Sequence, residues 1–316
     1  MAPQLADIDL KLLRVFCTIV EAGGFTAAQT RLNISQSRIS TLVADLEARL
    51  GMRLCQRGRI GFRLTDKGRT VYEAAQRLFA RLSDFSAEVG ALKGAMWGEL
   101  HIGIVDSTIT NADCRLIEAI RRFKAQAPEV TLRLQIAGPH DLERGVLDGR
   151  LQAAIGAFHH HVAGLSYDLL FHERQTLYCG RGHPLFERPE PELSLAEIAR
   201  VPFADRGYME GARPRVPFAP KAATTTDYME ALAMLVLSGH YIAYLPAHFA
   251  TQWVEKGQMR PLLPATLSFD SVFEVAKRRG TMSTAVLHAF LGALEAAHPR
   301  AERAAPARPR REAVEV

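Results

Sequence analysis

At 316 residues the chain is about twice the length of a typical single domain, so two or more domains are expected. Its composition is 48% apolar without any run near the ~20 apolar residues that cross a bilayer, which excludes a transmembrane helix, and the start MAPQLADIDLKLLRVF lacks an export signal, so cytoplasm is the expected compartment. The formal net charge is +5, and residues 1–69 hold eleven Lys/Arg against six Asp/Glu while the other 28 bases and 28 acids cancel; a basic N-terminal fifth suits a polyanion such as DNA.

Periodicity begins at once. Ile8, Leu10, Leu13, Phe16, Cys17 and Val20 share one side of a helix that Gly23-Gly24 ends. Thr26 is placed to cap a short second helix, AAQTRL, and Asn33-Ile34 makes a tight turn. Ser35 then caps a third helix, whose Ile39, Leu42, Val43, Leu46 and Leu50 form a buried stripe and which Gly51 stops. Two helices joined by a tight turn, the second with Gln36, Ser37, Arg38, Ser40 and Thr41 at its entrance and no acid among them, make a helix-turn-helix pattern. Such an entrance suits a major groove, where Gln and Arg pair with purine edges and hydroxyls reach bases or phosphates. Solvated polarity is the competing explanation for any one of these residues; the turn, the caps and the localised charge together favour the groove.

Next, MRLCQRGRIGFRLTDKG alternates around the loop Arg57 to Gly61 and reads as a small hairpin with Arg57 and Arg59 at its tip, a wing for a phosphate backbone or a minor groove. Taken together, GGFTAAQTRLNISQSRISTLVADLEARLGMRLCQRGRIGFRLTDKG resembles the winged helix-turn-helix of LysR-type transcriptional regulators. The resemblance implies DNA contacts by Gln36, Ser37, Ser40 and Thr41 and by Arg57 in the wing; with Thr26, Arg38 and Arg59 these complete the expected DNA-binding set. Ser37 stands where many members carry Pro, Thr41 where Arg is common and Cys55 where Phe is usual, so base preference does not transfer.

Thr65 is placed to cap a long helix from about Asp66 to Leu92, with Val71, Ala75, Leu78, Leu82, Phe85, Val89 and Leu92 in steps of four and three. A stripe that narrow fits one partner helix better than a broad core, so a homodimer is expected; the resemblance implies the same, often as dimers of dimers. Lys93 to Gly98, KGAMWG, is the expected hinge.

Strand and helix then alternate. ELHIGIV reads as a strand, Asn111 to Gln126 as a helix, EVTLRLQIA as a strand, Pro139 to Asp148 as a helix and LQAAIGAF as a strand. A second block follows: QTLYCG, a helix from Ser194, VPFADR, a helix from Asp227 to Leu237, YIAYLP, a helix from Ala247, SVFEVAKR and a helix from Thr284 to Ala297. The pattern argues for a parallel α/β sheet in two lobes around a cleft for a small molecule. GRGHPLF and VLSGHYIAYLP resemble the effector domain of the same family, itself similar to periplasmic solute-binding proteins; Gln152-Ala153 departs from the Asp usual there.

Asp106-Ser107-Thr108 closes the first strand and leads into a helix, so hydroxyls and free amides are expected to face an anion such as a carboxylate, which is also the family's arrangement for Ser107 and Thr108. Gly138, Phe158 and His159 end the next strands, and Phe203, Thr225 and Thr226 approach from the other lobe, completing the expected effector set. His159-His160-His161 on an extended loop point different ways and lack flanking ligands, so a polar cleft rim is expected and no metal. Cys17, Cys55, Cys114 and Cys179 are widely spaced, giving neither a disulfide framework nor a zinc knuckle. From Pro299 the chain reads as a disordered tail.

The fold expected is α/β: a winged helix-turn-helix over 1–65, a dimerisation helix over 66–93, a two-lobed effector domain resembling periplasmic binding proteins over 94–298, and the tail 299–316. The function expected is a non-enzymatic, effector-switched transcription regulator without cofactor. Its partners would be double-stranded promoter or operator DNA, a small anionic effector, further copies of itself as homodimer or homotetramer, and RNA polymerase, with no membrane. Two alternatives stay open. One is a ligand-independent architectural DNA-binding protein; the other is an enzyme or binding protein built on the α/β region, although no G-x-S-x-G elbow, P-loop or Rossmann glycine motif is present.

Overall fold

The computed structural model describes residues 6–58, 61–92, 96–209, 222–280 and 284–298. Arg59 and the tail 299–316 lie outside the described residues, as does half of the expected hinge, 93–95; Arg57 is described only in its backbone. The chain divides into two compact units, Met1–Ser86 and Ala87–Val316.

The first unit holds helices α1 (Asp7–Glu21), α2 (Phe25–Leu32) and α3 (Gln36–Leu50), the hairpin β1 (Cys55–Gly58) and β2 (Gly61–Leu64), and the start of α4 (Asp66–Leu92). Local chemistry explains most boundaries. The Asp9 carboxylate accepts the Ala6 amide at 2.8 Å and so fixes the first turn of α1. Asn33 ends α2 in the left-handed region (φ 53°), Ser35 accepts the Arg38 amide at 3.3 Å to open α3, and Gly51 closes it at φ 66°. Thr65 caps α4 by accepting the Gly68 amide at 2.9 Å. One expectation is corrected: Gly24, not Thr26, is the N-cap of α2, and Thr26 stands exposed in its first turn without a capping bond.

Two apolar clusters hold this unit together. Leu12, Leu13, Phe16 and Cys17 of α1 meet Leu46, Leu54 and Ala75; Ile19, Phe25 and Ala28 meet Ile39, Val43 and Cys55, with Phe25 and Phe62 edge to face at 5.8 Å. Each such buried aliphatic or aromatic side chain contributes roughly 1.5–3 kcal/mol. The α4 seam is also corrected. Val71, Ala75 and Leu78 pack on the unit's own core, with Tyr72 and Phe79 beside them, because a capped helix leaving the wing lies directly on α1 and α3 residues. Farther along, Phe85 is 64% exposed.

The second unit, after the last turns of α4, runs β3 (Gly98–Ile104), α5 (Leu116–Gln126), β4 (Val130–Ile136), α6 (Pro139–Asp148), β5 (Ala153–Gly156), β6 (Leu165–Gly180), α7 (Leu195–Ile198), β7 (Phe203–Arg206), β8 (Ala222–Thr226), α8 (Met229–Leu237), β9 (Ile242–Pro246), α9 (Ala247–Val254), β10 (Met259–Pro261), β11 (Ser268–Arg278) and α10 (Ala285–Ala297). Among the described residues these strands form one sheet in the order β4-β3-β5-β11-β6-β9-β7-β8, with β10 beside β6. It is mixed, not parallel as expected. The reason is β6, which spans 16 residues and pairs antiparallel with β11 on one lobe and with β9 and β10 on the other. QTLYCG is only its far end, so a strand read from one apolar run missed the half that crosses between lobes.

Lobe I carries β3, β4 and β5 under α5, α6 and α10, with a core of Ile102, Phe123, Ile155, Phe273 and Phe290. Lobe II carries β7, β8, β9 and β10 with α7, α8 and α9, and has two smaller clusters around Leu177, Phe203 and Ile242 and around Leu232, Val236 and Leu245. The helix expected from Asn111 starts instead at Leu116, because residues 105–115 form turns after β3.

Candidate functional site

On the first unit, α3 presents Gln36, Ser37, Arg38 and Thr41 to solvent and half-buries Ser40. Its opposite face is closed by Ile39, Val43 and Leu46, none of which is measurably exposed, so the polar entrance is held outward by the core. Several of its groups are ordered in advance. Gln29 of α2 donates from Nε2 to Gln36 Oε1 at 3.3 Å, Thr41 bonds back to the Ser37 carbonyl at 3.1 Å, and the Ser35 and Ser37 hydroxyls lie 3.0 Å apart. Arg57 stands on β1 in register with Phe62. Glu47 lies farther along the same helix. It has a specific role: Glu47 Oε1 accepts the amides of Leu54 at 2.7 Å and Cys55 at 3.1 Å, tying the wing to α3. Asp9 is likewise paired with Arg49 through Nε and, at 2.9 Å, Nη2, and this holds its carboxyl down at about 2.

In the second unit, a polar cluster lies where the lobes meet. Along one face of β6 the buried residues run Phe171, Glu173, Gln175, Leu177, so an acid and an amide interrupt an apolar stripe where the strand crosses. Gln175 Nε2 donates to Glu173 Oε2 at 2.7 Å. Glu173 Oε1 also accepts Asn111 Nδ2 at 3.1 Å and meets His248 Nε2 at 2.8 Å, and His248 Nδ1 lies 2.8 Å from Thr110 Oγ1. His248 donates from Nε2 to the carboxylate, and the Thr110 hydroxyl serves its Nδ1. Residues of the turns after β3 thus reach α9 of lobe II, and Asp106 Oδ2 accepts the first amide of α8, that of Met229, at 2.6 Å.

Arg206, at the end of β7, points its guanidinium at this junction. It is 5% exposed, and Nη2 donates to Gln175 Oε1. Tyr208 and His159 adjoin it, their rings stacked at 6.4 Å with 12° between planes. Burial, with the positive Arg206 and His160 nearby, pulls the His159 imidazole down to about 4. Burial pushes the Asp106 carboxyl up, against the pull of the Met229 amide and of Arg206. Two polar atoms here are buried without a partner among the described residues, Ser107 Oγ and His159 Nε2, and Ser107 holds a left-handed backbone at φ 60°. Unpaired buried polar atoms cost about 1–3 kcal/mol each, so they mark a place where another molecule's atoms fit. Among the described residues Arg206 has no ion-pair partner; its guanidinium donates to the Gln175 amide oxygen and hydrogen-bonds the Tyr208 hydroxyl, both neutral groups. A cation so buried favours a site for an anion.

The expected effector residues divide accordingly. Ser107 and His159 belong to this cluster, with Thr108 following Ser107. They do not stand at a helix start, and the α8 amide nearest them is taken by Asp106, so the anticipated helix-terminus arrangement is corrected. Phe158, just past β5, packs on Leu142, Val146 and Ala154 and against Tyr167, and Phe203, on the fully buried strand β7, is 2% exposed in the lobe II core; both are packing residues. Gly138 opens α6 beyond the edge strand β4. Thr226 pairs in register with Arg206, and Thr225 is exposed on the edge strand β8. The three histidines separate: His159 faces Tyr208, whereas His161 stacks on Tyr167 at 4.0 Å and meets Glu274 at 2.8 Å. Sequence reading missed Glu173, Gln175, Arg206 and His248. The only signal was charge inside strand-like runs, FHERQTL and VPFADR.

Comparisons with known proteins show what the chain is similar to. Residues 10–69 match the family described as bacterial regulatory helix-turn-helix protein, lysR family, and residues 94–299 match the LysR substrate binding domain. The chain is 41% identical over 293 residues to the HTH-type transcriptional activator BauR of Pseudomonas aeruginosa, covering 92% of this chain and 96% of that one. It is 28% identical to the SDS degradation transcriptional activation protein of a Pseudomonas species, covering 90% and 94%. Among solved structures it is similar to full-length CbnR complexed with its target DNA, with a TM-score of 0.63 at 20% identity over 92% of this chain and 99% of that one. The full-length Vibrio cholerae virulence activator AphB gives 0.56 at 15% identity, covering 92% and 99%.

Proposed function

The chain belongs to the LysR family of bacterial helix-turn-helix transcription regulators, and from that premise we propose which of its residues read DNA and which receive the effector. The α3 entrance, Gln36, Ser37, Arg38, Ser40 and Thr41, enters a major groove, with Thr26 at the start of α2 and the wing arginines Arg57 and Arg59 on the flanking phosphates. Exposed hydroxyl, amide and guanidinium groups on a face with no carboxylate support this reading, as does the +5 charge of residues 1–69. Residues 1–65 form the reading head and 66–92 the helix that pairs two copies. The lobes bind a small molecule and do no chemistry on it.

The effector is an anion, and its seat is Arg206 with Ser107, Thr108 and His159. One observation carries this: a buried guanidinium with no ion-pair partner among the described residues adjoins a buried imidazole nitrogen that none of those residues pairs, in the same cluster as the Ser107 hydroxyl, likewise unpaired among them. Because the cluster is built from both lobes, a bound anion favours one arrangement of the lobes over another, and only such differential binding switches an output. The experiment uses operator DNA from upstream of the chain's own reading frame. Gln36→Ala is expected to weaken operator binding about tenfold or more and to leave random DNA unchanged, since one good base contact is worth about 1–3 kcal/mol. Equal loss on both removes Gln36 from base reading. In cells, Arg206→Gln is expected to abolish the regulated response while operator binding in vitro survives.

A further inference from the structure

The charge surrounding Arg206 limits what anion it accepts. Glu173 is 5% exposed and lies one amide away, since Gln175 spans the gap by donating to Glu173 and accepting from Arg206. Three donors converge on the Glu173 carboxylate: the side-chain amides of Asn111 and Gln175, which carry no charge, and the imidazole of His248. On the lobe I side stands Asp106, within electrostatic reach of Arg206, with Glu230 of α8 near it. Asp227 flanks the same strand end, where a Cβ on Gly207 would sit 2.7 Å from its carboxylate. Arg206 is therefore the one fixed cation among four acids in the described surroundings. His159, the other group with a free polar atom beside it, is neutral near pH 7.

We propose that the effector is a monoanion, carrying one carboxylate and no second negative charge, with Arg206 as its seat and Glu173 and Asp106 as the residues that reject dianions. The proposal rests on the reading of Arg206 as the anion seat. One negative charge on the guanidinium satisfies a cation that the described residues leave without a direct ion pair. A second negative charge on the same small molecule finds no further fixed cation among the described residues and meets Glu173 or Asp106 in a poorly solvated junction, where like charges repel strongly. Neutral donors, Ser107 Oγ and His159 in its N–H tautomer, serve the rest of the carboxylate without adding charge. The residues that set specificity are thus two acids that touch no ligand oxygen, acting by charge alone.

The test uses the full-length protein at constant ionic strength with probes matched in carbon number: butyrate against succinate, and hexanoate against adipate. Dissociation constants are read by calorimetry and by the shift in melting temperature, up to tens of millimolar. The monocarboxylate of each pair is expected to bind at least tenfold more tightly, a difference of about 1.4 kcal/mol. Asp106→Asn and Glu173→Gln, close in shape to the residues they replace, are expected to narrow that ratio several-fold by improving the dicarboxylate. Succinate or adipate binding as tightly as its partner overturns the proposal, as does a ratio that survives both substitutions. The seat is judged separately by Arg206→Gln. Arg206-dependent binding with the wrong preference sinks the monoanion inference alone. Binding that ignores Arg206, or no binding by any probe, removes the seat and the inference with it. The wild-type ratio needs no variant, so a substitution that fails to fold leaves the test intact.

Discussion

At the scale of single residues, two positions show how backbone and burial set the terms. Gly68, in the first turn of α4, crosses the Leu54 carbonyl so closely that a Cβ would stand 1.8 Å from its oxygen. Backbone atoms cannot rotate away, so Gly68→Ala is expected to cost about 1–3 kcal/mol or more. Thermal denaturation followed by circular dichroism checks this; an unchanged midpoint would mean the wing and α4 do not meet as described. His159 makes a pH prediction. Its folded value, about 4, lies below the ordinary imidazole value of 6.5, so the unfolded chain binds the proton more readily. The stabilisation is complete above pH 6.5 and is lost as pH falls from there towards 4. Denaturant melts across that window are expected to show a downward slope that His159→Gln reduces, and an equal slope in the variant would put the proton elsewhere.

At the scale of elements, α4 serves two purposes along its length. Its first turns bury Ala75 and part of Val71 and Leu78 in the head's own core, whereas Phe85 remains 64% exposed on the same heptad seam. A large exposed aromatic in a strict repeat suits a second helix. Phe85→Asp is therefore expected to lower the oligomeric state in sedimentation while the head keeps its circular dichroism, and an unaltered assembly would remove the seam from the interface. The wing is a separate element with a different signature. Arg57→Ala and Arg59→Ala are expected to weaken binding to any duplex, each lowering the slope of log affinity against log salt by about one. A salt dependence equal to wild type would take the wing off the DNA.

Over the whole molecule, the family's function requires that the effector site speak to the reading head. Ser107→Ala with Thr108→Val strips two hydroxyls from the turns after β3 without touching the head. The expected outcome is a lost effector response with operator affinity unchanged, measured by anisotropy on labelled operator DNA. Preserved response would move the effector elsewhere. Linkage supplies an independent check: a ligand at about 100 times its dissociation constant adds roughly 2.7 kcal/mol to the state that binds it. No described helix is long and apolar enough to cross a membrane.

What the sequence determined by itself was local or additive. Helix ends at Asn33, Ser35, Gly51, Thr65 and Thr284 follow from capping groups one turn away, and the reading face of α3 from spacings of three and four. The basic head is a sum over residues 1–69, and its motif density identified the family. Only the tertiary structure decided what distant residues do together. The crossing strand β6, read from its last six residues, carries Glu173 and Gln175 on one face; β7 brings Arg206 to them, α9 brings His248, and the turns after β3 bring Asp106, Ser107 and Asn111. The same long-range packing sent Phe158 and Phe203 into the lobe cores and divided the α4 seam. Caps and periodicities depend on neighbours within a turn, whereas a charge cluster depends on which strands lie side by side, and strand order is written in no single stretch of the chain.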